Sequence, residues 1–538
     1  MAIDSGNICV DFSELSLMPS AKETIADTLT RAGFCVEHPC GGHGKCGKCL
    51  VRAVPAAAPT EIERRIIPKN ALDLGWRLSC LSPAVPGMKV FIYKGNEQIL
   101  EQGALLQHSW NVRADGGKYR LAADIGTTTV VLYMLHPDDG RIITAVSAAN
   151  SQNKYGADII SRIFAAGEDH KNLDNLKYAI IGTINGLIDE ITMSTGVSIA
   201  DISGLYAAGN TTMEHLLLGV DPSPIGRSPF DPPFLKAKDR NAAECGLNLS
   251  KEAFLRLVPN ISAFVGGDIT AGLYYTGVFR QPGTSLFIDI GTNSEMAVCR
   301  NGRIWACSAA AGPAFEGAHI STGLRAVNGA VEHASVEGDD LYISPIGGAP
   351  PAGICGSGII DLVAVLAEHG VIEPSGKFAD ASKISSKGLA RRIRRGNKNF
   401  SEFVYCFADE YGANKDLTLT QKDVREIQLA KSAIAVGIAK LSEKAGITPG
   451  ELDRIYIGGA FGNFIDSTNA MKLGVLPALP ADKVTAAGNC AGLGVCRSAF
   501  DPEAEEAFGY ICSHCESINL AELDDFQTQF VRNLKFGV

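Results

Sequence analysis

Leu121-Ala-Ala-Asp-Ile-Gly-Thr-Thr-Thr129 returns later in the chain as Leu286-Phe-Ile-Asp-Ile-Gly-Thr-Asn-Ser294. Each copy reads as an apolar strand that ends in Asp-Ile-Gly-Thr. Phosphate binding needs backbone N–H groups and hydroxyls close to the anion, and Gly126 and Gly291 let the chain approach without a side-chain clash. A carboxylate at the strand end, Asp124 or Asp289, can hold Mg²⁺ through water, because that ion keeps much of its hydration shell. One such segment by itself is equally a hairpin turn. Its recurrence points to an internal duplication of a nucleotide-binding half. A third turn, Ile457-Gly-Gly-Ala-Phe-Gly-Asn463, follows the strand Arg454-Ile-Tyr-Ile-Gly458; its glycines permit a flat approach by an adenine and ribose, but by itself it reads as an ordinary strand-to-helix turn.

The site residues that follow are Asp124 and Asp289 facing Mg²⁺, then Gly126, Thr127, Thr128, Gly291, Thr292 and Asn293 at phosphates. Gly458, Gly459 and Gly462 face the adenosine. Glu295, just after the second loop, is the candidate base for water activation, and Asp268 in Val265-Gly-Gly-Asp268 is its rival.

The first 95 residues have another texture. Cys40-Gly-Gly-His-Gly-Lys-Cys-Gly-Lys-Cys49 packs three thiols into a short glycine-padded loop, and Cys80 follows in Arg77-Leu-Ser-Cys80. Structural zinc prefers two separated C-x2-C pairs. A C-x5-C-x2-C run with one distant cysteine suits a 2Fe–2S cluster, with Cys40, Cys46, Cys49 and Cys80 as its thiolate ligands. The spacing resembles the adrenodoxin-type variant of the β-grasp ferredoxin. Ser20 to Gly33 reads as a capped helix, and residues 50–53 and 89–92 as strands.

A chain of 538 residues has room for about two to four domains. A net charge of −10 argues against a nucleic-acid partner, and no apolar run reaches the roughly 20 residues of a membrane span. No signal peptide is visible, and fifteen cysteines without one point to a reducing, cytoplasmic setting. The expected domains are 1–95, a ferredoxin-like domain; 96–118, a linker; 119–281, a first ATPase half; and 282–538, a second half. Residues 372–416 read as a basic, irregular surface insertion, and Val424 to Lys444 as a long amphipathic helix. Cys490, Cys496, Cys512 and Cys515 lack the density of a 4Fe–4S motif and read as buried thiols. His215 reads as a packing residue on a helix face.

The fold class expected is thus α+β and α/β multidomain, a β-grasp ferredoxin domain followed by a duplicated core. The three glycine-bearing turns, in this order, resemble the phosphate-1, phosphate-2 and adenosine motifs of the actin-like (sugar kinase/Hsp70) ATPases. The whole chain resembles the ATP-dependent reductive activators of corrinoid proteins. Tyr155-Gly-Ala-Asp-Ile-Ile-Ser-Arg-Ile163, Gly209-Asn-Thr-Thr-Met-Glu-His215, Ala311-Gly-Pro-Ala-Phe-Glu-Gly317 and Gly353-Ile-Cys-Gly-Ser-Gly358 add to that likeness. The resemblance implies a 2Fe–2S cluster, ATP and Mg²⁺, and a corrinoid protein of a methyltransferase system as partner. It also implies a low-potential electron donor, and a mobile ferredoxin domain would favour docking across a homodimer. Three rival readings stand beside it: a small-molecule kinase with a fused ferredoxin, an ATP-driven activator that injects an electron into a non-corrinoid enzyme, and a non-catalytic redox sensor that uses ATP as a conformational switch.

Overall fold

The computed structural model describes residues 8–10, 16–17, 23–31, 49–67, 72, 75–85, 88–91, 117–156, 158–396, 400–459 and 464–537. Cys40, Cys46, Gly462 and most of the expected linker lie outside the described residues. Residues 1–97 make one compact unit and nearly all of the rest a second.

The first unit runs β1 (Ile8–Val10), β2 (Ser16–Leu17), α1 (Ile25–Arg31), β3 (Leu50–Val54), α2 (Glu61–Ile66), β4 (Trp76–Leu78) and β5 (Lys89–Phe91). Its sheet has the order β2-β1-β5-β3-β4. β1 and β5 pair in parallel, and the other neighbours are antiparallel. Ile25 and Leu29 of α1 are buried with Val51, Ala53, Met88 and Val90, so the helix covers the sheet as in a β-grasp fold. The helix starts at Ile25, where the sequence suggested Ser20. Thr24 is the cap: its hydroxyl accepts from Asp27 N–H at 3.1 Å, while the Asp27 carboxylate accepts from Thr24 N–H at 3.0 Å. This reciprocal pair satisfies two otherwise open donors.

In the second unit, the first half contains β6 (Tyr119–Ile125), β7 (Thr129–Leu135), β8 (Ile142–Ala149), α3 (Ile159–Glu168), α4 (His170–Thr195), β9 (Ile202–Gly209), α5 (Thr211–Leu218), β10 (Lys238–Asn241), β11 (Phe254–Leu257) and α6 (Gly267–Thr276). The second half opens with β12 (Thr284–Asp289), β13 (Ser294–Arg300) and β14 (Arg303–Ala309). There follow β15 (Ala330–Glu337), β16 (Asp340–Pro345), β17 (Gly353–Ile354), α7 (Gly356–Glu368), α8 (Lys387–Ala390), β18 (Ile393–Arg395), β19 (Ser401–Cys406), β20 (Leu417–Thr420) and α9 (Gln421–Lys444). The half closes with β21 (Arg454–Gly458), α10 (Ser467–Leu473), β22 (Val484–Gly488), α11 (Cys490–Ser498), α12 (Ala504–His514), β23 (Cys515–Ser517) and α13 (Phe526–Arg532).

The two large sheets have the orders β10-β11-β9-β6-β7-β8 and β22-β21-β12-β13-β14-β23. In each, three antiparallel strands form a meander, and a strand from later in the chain adds in parallel beside the first. This shared topology is the duplication that the repeated Asp-Ile-Gly-Thr foreshadows. Both loops sit where the first strand of a meander turns into the second. α6 and α11 pack tightly against each other: a Cβ at Gly494 would fall 2.1 Å from the Ala271 carbonyl. That crossing brings the end of β22 up to the floor of the first half.

The described residues of the segment expected to be irregular between 372 and 416 form regular structure and pack. β18, β19 and β20 form their own sheet, and Phe403, Tyr405, Leu417 and Leu419 are buried in the core of the second half. Two of its arginines, Arg392 and Arg394, are ion-paired in place. Arg392, almost fully buried, grips the Glu410 carboxylate at 2.7 and 3.0 Å, and Arg394 binds Glu402 at 2.7 Å. The long helix α9 begins at Gln421, three residues earlier than expected, because Thr420 and Asp423 form a capping box. Ile427, Ala430, Ile434, Ile438 and Leu441 are buried along it. Cys490 and Cys496 are buried in α11, while Cys512 and Cys515 are half-buried. No helix among the described residues is long and apolar enough to cross a membrane.

Candidate cluster site and nucleotide cleft

β3 and β4 pair antiparallel with Leu50 opposite Leu78. That register places Cys49, just before β3, opposite the Ser79-Cys80 step just after β4, and Ser79 N–H donates to the Cys49 carbonyl at 2.8 Å. The Cys49 and Cys80 sulfurs lie 3.1 Å apart without a disulfide. Ile67, Leu72 and Leu78 are buried beside Cys49. The Ser79 hydroxyl is buried and has no partner among the described residues. Two thiols facing each other at this distance fit thiolate ligands of an iron–sulfur cluster, and the buried Ser79 hydroxyl next to Cys80 in the chain is a donor left over for it. Glu63 braces this corner. Fully buried, its carboxylate accepts from Leu78 N–H at 2.8 Å and from the Ser82 hydroxyl at 3.0 Å, so α2 holds the strand leading into Cys80.

The second site is a cleft between the two sheets. Asp124 lies in the last turn-proximal part of β6, and Asp289 ends β12 opposite Gly458 of β21. Glu295 pairs directly with Asp289 across β12 and β13. Like charges opposed in this way destabilise a sheet. Gly459 explains itself by this neighbour: its φ is +83° and a Cβ would fall 2.5 Å from an Asp289 oxygen. The third turn therefore begins directly against the second strand-end carboxylate.

The electrostatics follow from crowding. Burial pushes Asp124 up to about 6, moderated by the Asn489 amide that donates to it at 2.8 Å. Asp289 is pushed up to about 7 by burial, then by Asp268, Asp124 and Glu316. Asp268 also rises to about 7, by burial and the Asp124 charge. Glu295 lies well above the usual carboxylate range, again through burial and its two aspartate neighbours, although the Ser308 hydroxyl donates to it at 3.0 Å. Carboxylates that raise one another in this way mark a site awaiting positive charge. Among the described residues no three acidic, His or Cys side chains converge as direct metal ligands. A cation held here would keep part of its water shell, as Mg²⁺ commonly does.

Sequence reasoning missed the groups that hold the first loop in shape. Arg162 of α3 is fully buried and donates to the Thr127 carbonyl at 2.7 Å, to Asn153 at 2.6 Å and to Gln152 at 3.1 Å. Burial lowers it to about 10 against the nearby Asp158 carboxylate, which raises it, so it stays charged beneath the loop. Asn150 donates to the Gly126 carbonyl at 3.0 Å, and Asn210, which caps α5, donates to the Thr127 hydroxyl at 3.0 Å. Arg162 and Asn210 lie in the motifs at 155–163 and 209–215. Arg162→Met is expected to destabilise the protein by roughly 2–4 kcal/mol, because it strands several buried acceptors. Denaturant melts measure that loss, and calorimetry should find nucleotide affinity about tenfold weaker as the buried charge under the loop disappears.

His215 is a packed, neutral imidazole. Its Nδ1–H donates to the Thr211 carbonyl at 2.7 Å, its Nε2 accepts from Phe234 N–H at 3.3 Å, and its ring stacks on Phe234 at 3.9 Å. Burial lowers it to about 4.

A β-grasp unit with a facing thiol pair, followed by two matched sheets around an acidic cleft, defines an iron–sulfur protein joined to an actin-like nucleotide-binding core. Three family descriptions match the chain: "2Fe-2S iron-sulfur cluster binding domain" over residues 10–85, "RACo middle region" over 119–281, and "C-terminal domain of RACo the ASKHA domain" over 283–537. The corrinoid activation enzyme RamQ of Eubacterium limosum is 35% identical over 78% of this chain and 70% of its own length. A Co(II) methylated amine-specific corrinoid protein reductase of Methanosarcina barkeri is 30% identical over 43% of this chain and 42% of its own. A solved structure, the reductive activator for corrinoid, iron-sulfur protein, superposes with a TM-score of 0.71 at 27% identity, covering 99% of this chain and 98% of that one. The chain belongs to the RACo family of corrinoid activators.

Proposed function

We infer that this protein reductively activates a corrinoid protein, delivering one electron so that Co(II) becomes Co(I), at the expense of ATP hydrolysis. The observation that carries the reading is that one chain, alike over nearly its full length to a reductive activator, holds both the facing Cys49–Cys80 thiols and the carboxylate-crowded cleft. When bound, the 2Fe–2S cluster supplies the electron and ATP supplies the driving force. Cys49 and Cys80, with Cys40 and Cys46, are the residues for the cluster. Asp124 and Asp289 hold Mg²⁺ through water, and the hydroxyls of Thr127, Thr128 and Thr292 with Asn293 donate to phosphate oxygens. Gly458, Gly459 and Gly462 leave room for the adenosine. Glu295, or its rival Asp268, would take the proton from water once a bound cation offsets the crowded carboxylates.

Coupling to ATP has a physical reason. Co(I) is a strong reductant, and each ~59 mV of uphill transfer costs about 1.4 kcal/mol for one electron. A nucleotide-dependent change in partner affinity offsets several such steps. The finer reading is a corrinoid protein of a methyltransferase system, served by a separate low-potential donor in the cytoplasm. The test is an anaerobic titration with Mg-ATP, a chemical reductant and Co(II) corrinoid proteins, following the Co(I) absorption band. Co(I) should accumulate over many turnovers with ATP and not with a non-hydrolysable analogue. Equal multi-turnover reduction with both would remove the coupling, and no ATP-dependent gain with any corrinoid protein would overturn the reading.

A further inference from the structure

Among the described residues, Glu316 is the carboxylate that hydrogen-bonds to both Asp-Ile-Gly-Thr loops. It accepts from the Thr292 hydroxyl at 2.7 Å and, more weakly, from the Thr128 hydroxyl at 3.4 Å. Its mount is rigid. It ends the short turn Pro313–Glu316, in which Ala314 and Phe315 are buried in the core of the second half. Gly312 N–H donates to the Thr292 carbonyl at 2.9 Å, tying the turn to the second loop. Gly317 follows with φ +79°, and a Cβ there would fall 2.4 Å from the Leu324 carbonyl, so no other residue fits. The turn therefore delivers one side chain to one place.

That placement is costly: the Glu316 charge adds to those that already raise Asp289. An ionised carboxylate only accepts hydrogen bonds, and the same is true of an ionised terminal phosphate oxygen. The hydroxyls that Glu316 occupies belong to both loops, so a terminal phosphate held between the loops would need the same donors. The geometry points to Glu316 as the γ-phosphate sensor of this site: it stands in for the terminal phosphate and is displaced by it, so that the Pro313–Gly317 turn reports triphosphate and ignores diphosphate. This rests on the cleft binding nucleotide as read above. It assigns a role to the Ala311–Gly317 motif that the hydrolysis reaction alone does not require.

The test compares full-length wild type, Glu316→Ala and Glu316→Gln, each with Mg-ADP and with a non-hydrolysable Mg-ATP analogue. Calorimetry gives the affinities, and hydrogen exchange follows residues 313–317. Removing the competitor in Glu316→Ala should tighten the analogue about tenfold, the range of a hydrogen bond to a charged group, and leave ADP within about twofold. Glu316→Gln keeps an acceptor without the charge and should lie between. In wild type the analogue should raise exchange across the turn, and ADP should not. Weaker analogue binding in both variants, or equal shifts for both nucleotides, would overturn the sensor while leaving the cleft a nucleotide site. Binding of neither nucleotide by wild type would overturn the nucleotide reading and the sensor together.

Discussion

Cys80→Ser is expected to yield a protein that keeps its nucleotide site and has lost its iron. Cys80 is the better target of the described pair, because it is half-buried while Cys49 is 1% exposed and would bury a new hydroxyl. A serine hydroxyl is a poor ligand for iron beside three thiolates, so iron should fall from about two per chain to near zero, with the visible absorption of the cluster. Nucleotide affinity should stay within about twofold, since Asp124, Asp289 and their neighbours form a separate set of contacts. Co(I) formation should disappear. Cys512→Ser is the control, and its iron should match wild type. Full iron in Cys80→Ser would remove Cys80 from the ligand set. About four to six irons in wild type would instead require a second cluster beyond the four-thiolate site.

Asp289→Asn should produce a protein that is more stable and less active. Asp289 and Asp268 titrate near 7 and Asp124 near 6 in the folded protein, against 3.8 for an ordinary aspartate. The folded state thus holds protons that the unfolded chain has released. The stability those protons provide is complete below about pH 4 and is lost as pH rises through about 6 to 7. Carboxylates in ion pairs elsewhere, such as Glu410 and Asp416, are lowered and work in the opposite sense. The readout is therefore the difference between variant and wild type.

Without metal, the variant should be the more stable at pH 8 by about 1–3 kcal/mol, and the gap should close towards pH 5. Mg²⁺ should stabilise wild type more at pH 8 than at pH 5.5, and the variant little at either. ATP hydrolysis should fall about 10²-fold or more, as when an electrostatic group is removed from a phosphoryl-transfer site. A variant that is less stable at pH 8 would mean that Asp289 is a satisfied structural carboxylate.

The helix and strand texture of this protein was legible because it is local. Apolar periodicity marked α9, and a strand followed by Asp-Ile-Gly-Thr marked the two loops. The boundaries shifted where a good cap lay nearby, Thr24 in place of Ser20 and Thr420 ahead of the expected start at Val424, since capping is decided by which hydroxyl meets the open N–H groups. The 372–416 segment was misread as irregular because the ion pairs that hold it are not visible along the chain. Its partners Glu410, Glu402 and Asp416 become neighbours only when β18, β19 and β20 pair. Gly459 was assigned by its place in a motif, and its contact with Asp289 shows why only glycine stands there.

Sequence by itself determined the domain types, the family resemblance and the chemical identity of the donors: thiols for a cluster, paired aspartates and threonines for a nucleotide. These are carried by residue type and short spacing, which the chain displays directly. Tertiary structure alone decided which donors meet. The Leu50–Leu78 register sets Cys49 against Cys80, and Asn489 reaches Asp124 only because α11 crosses α6 at glycine. Arg162 and Glu316 were visible in quoted motifs but silent, because their effect depends on burial and on a few ångströms between loops distant in sequence. Coulomb and hydrogen-bond energies act through space, and sequence separation carries little information about that distance.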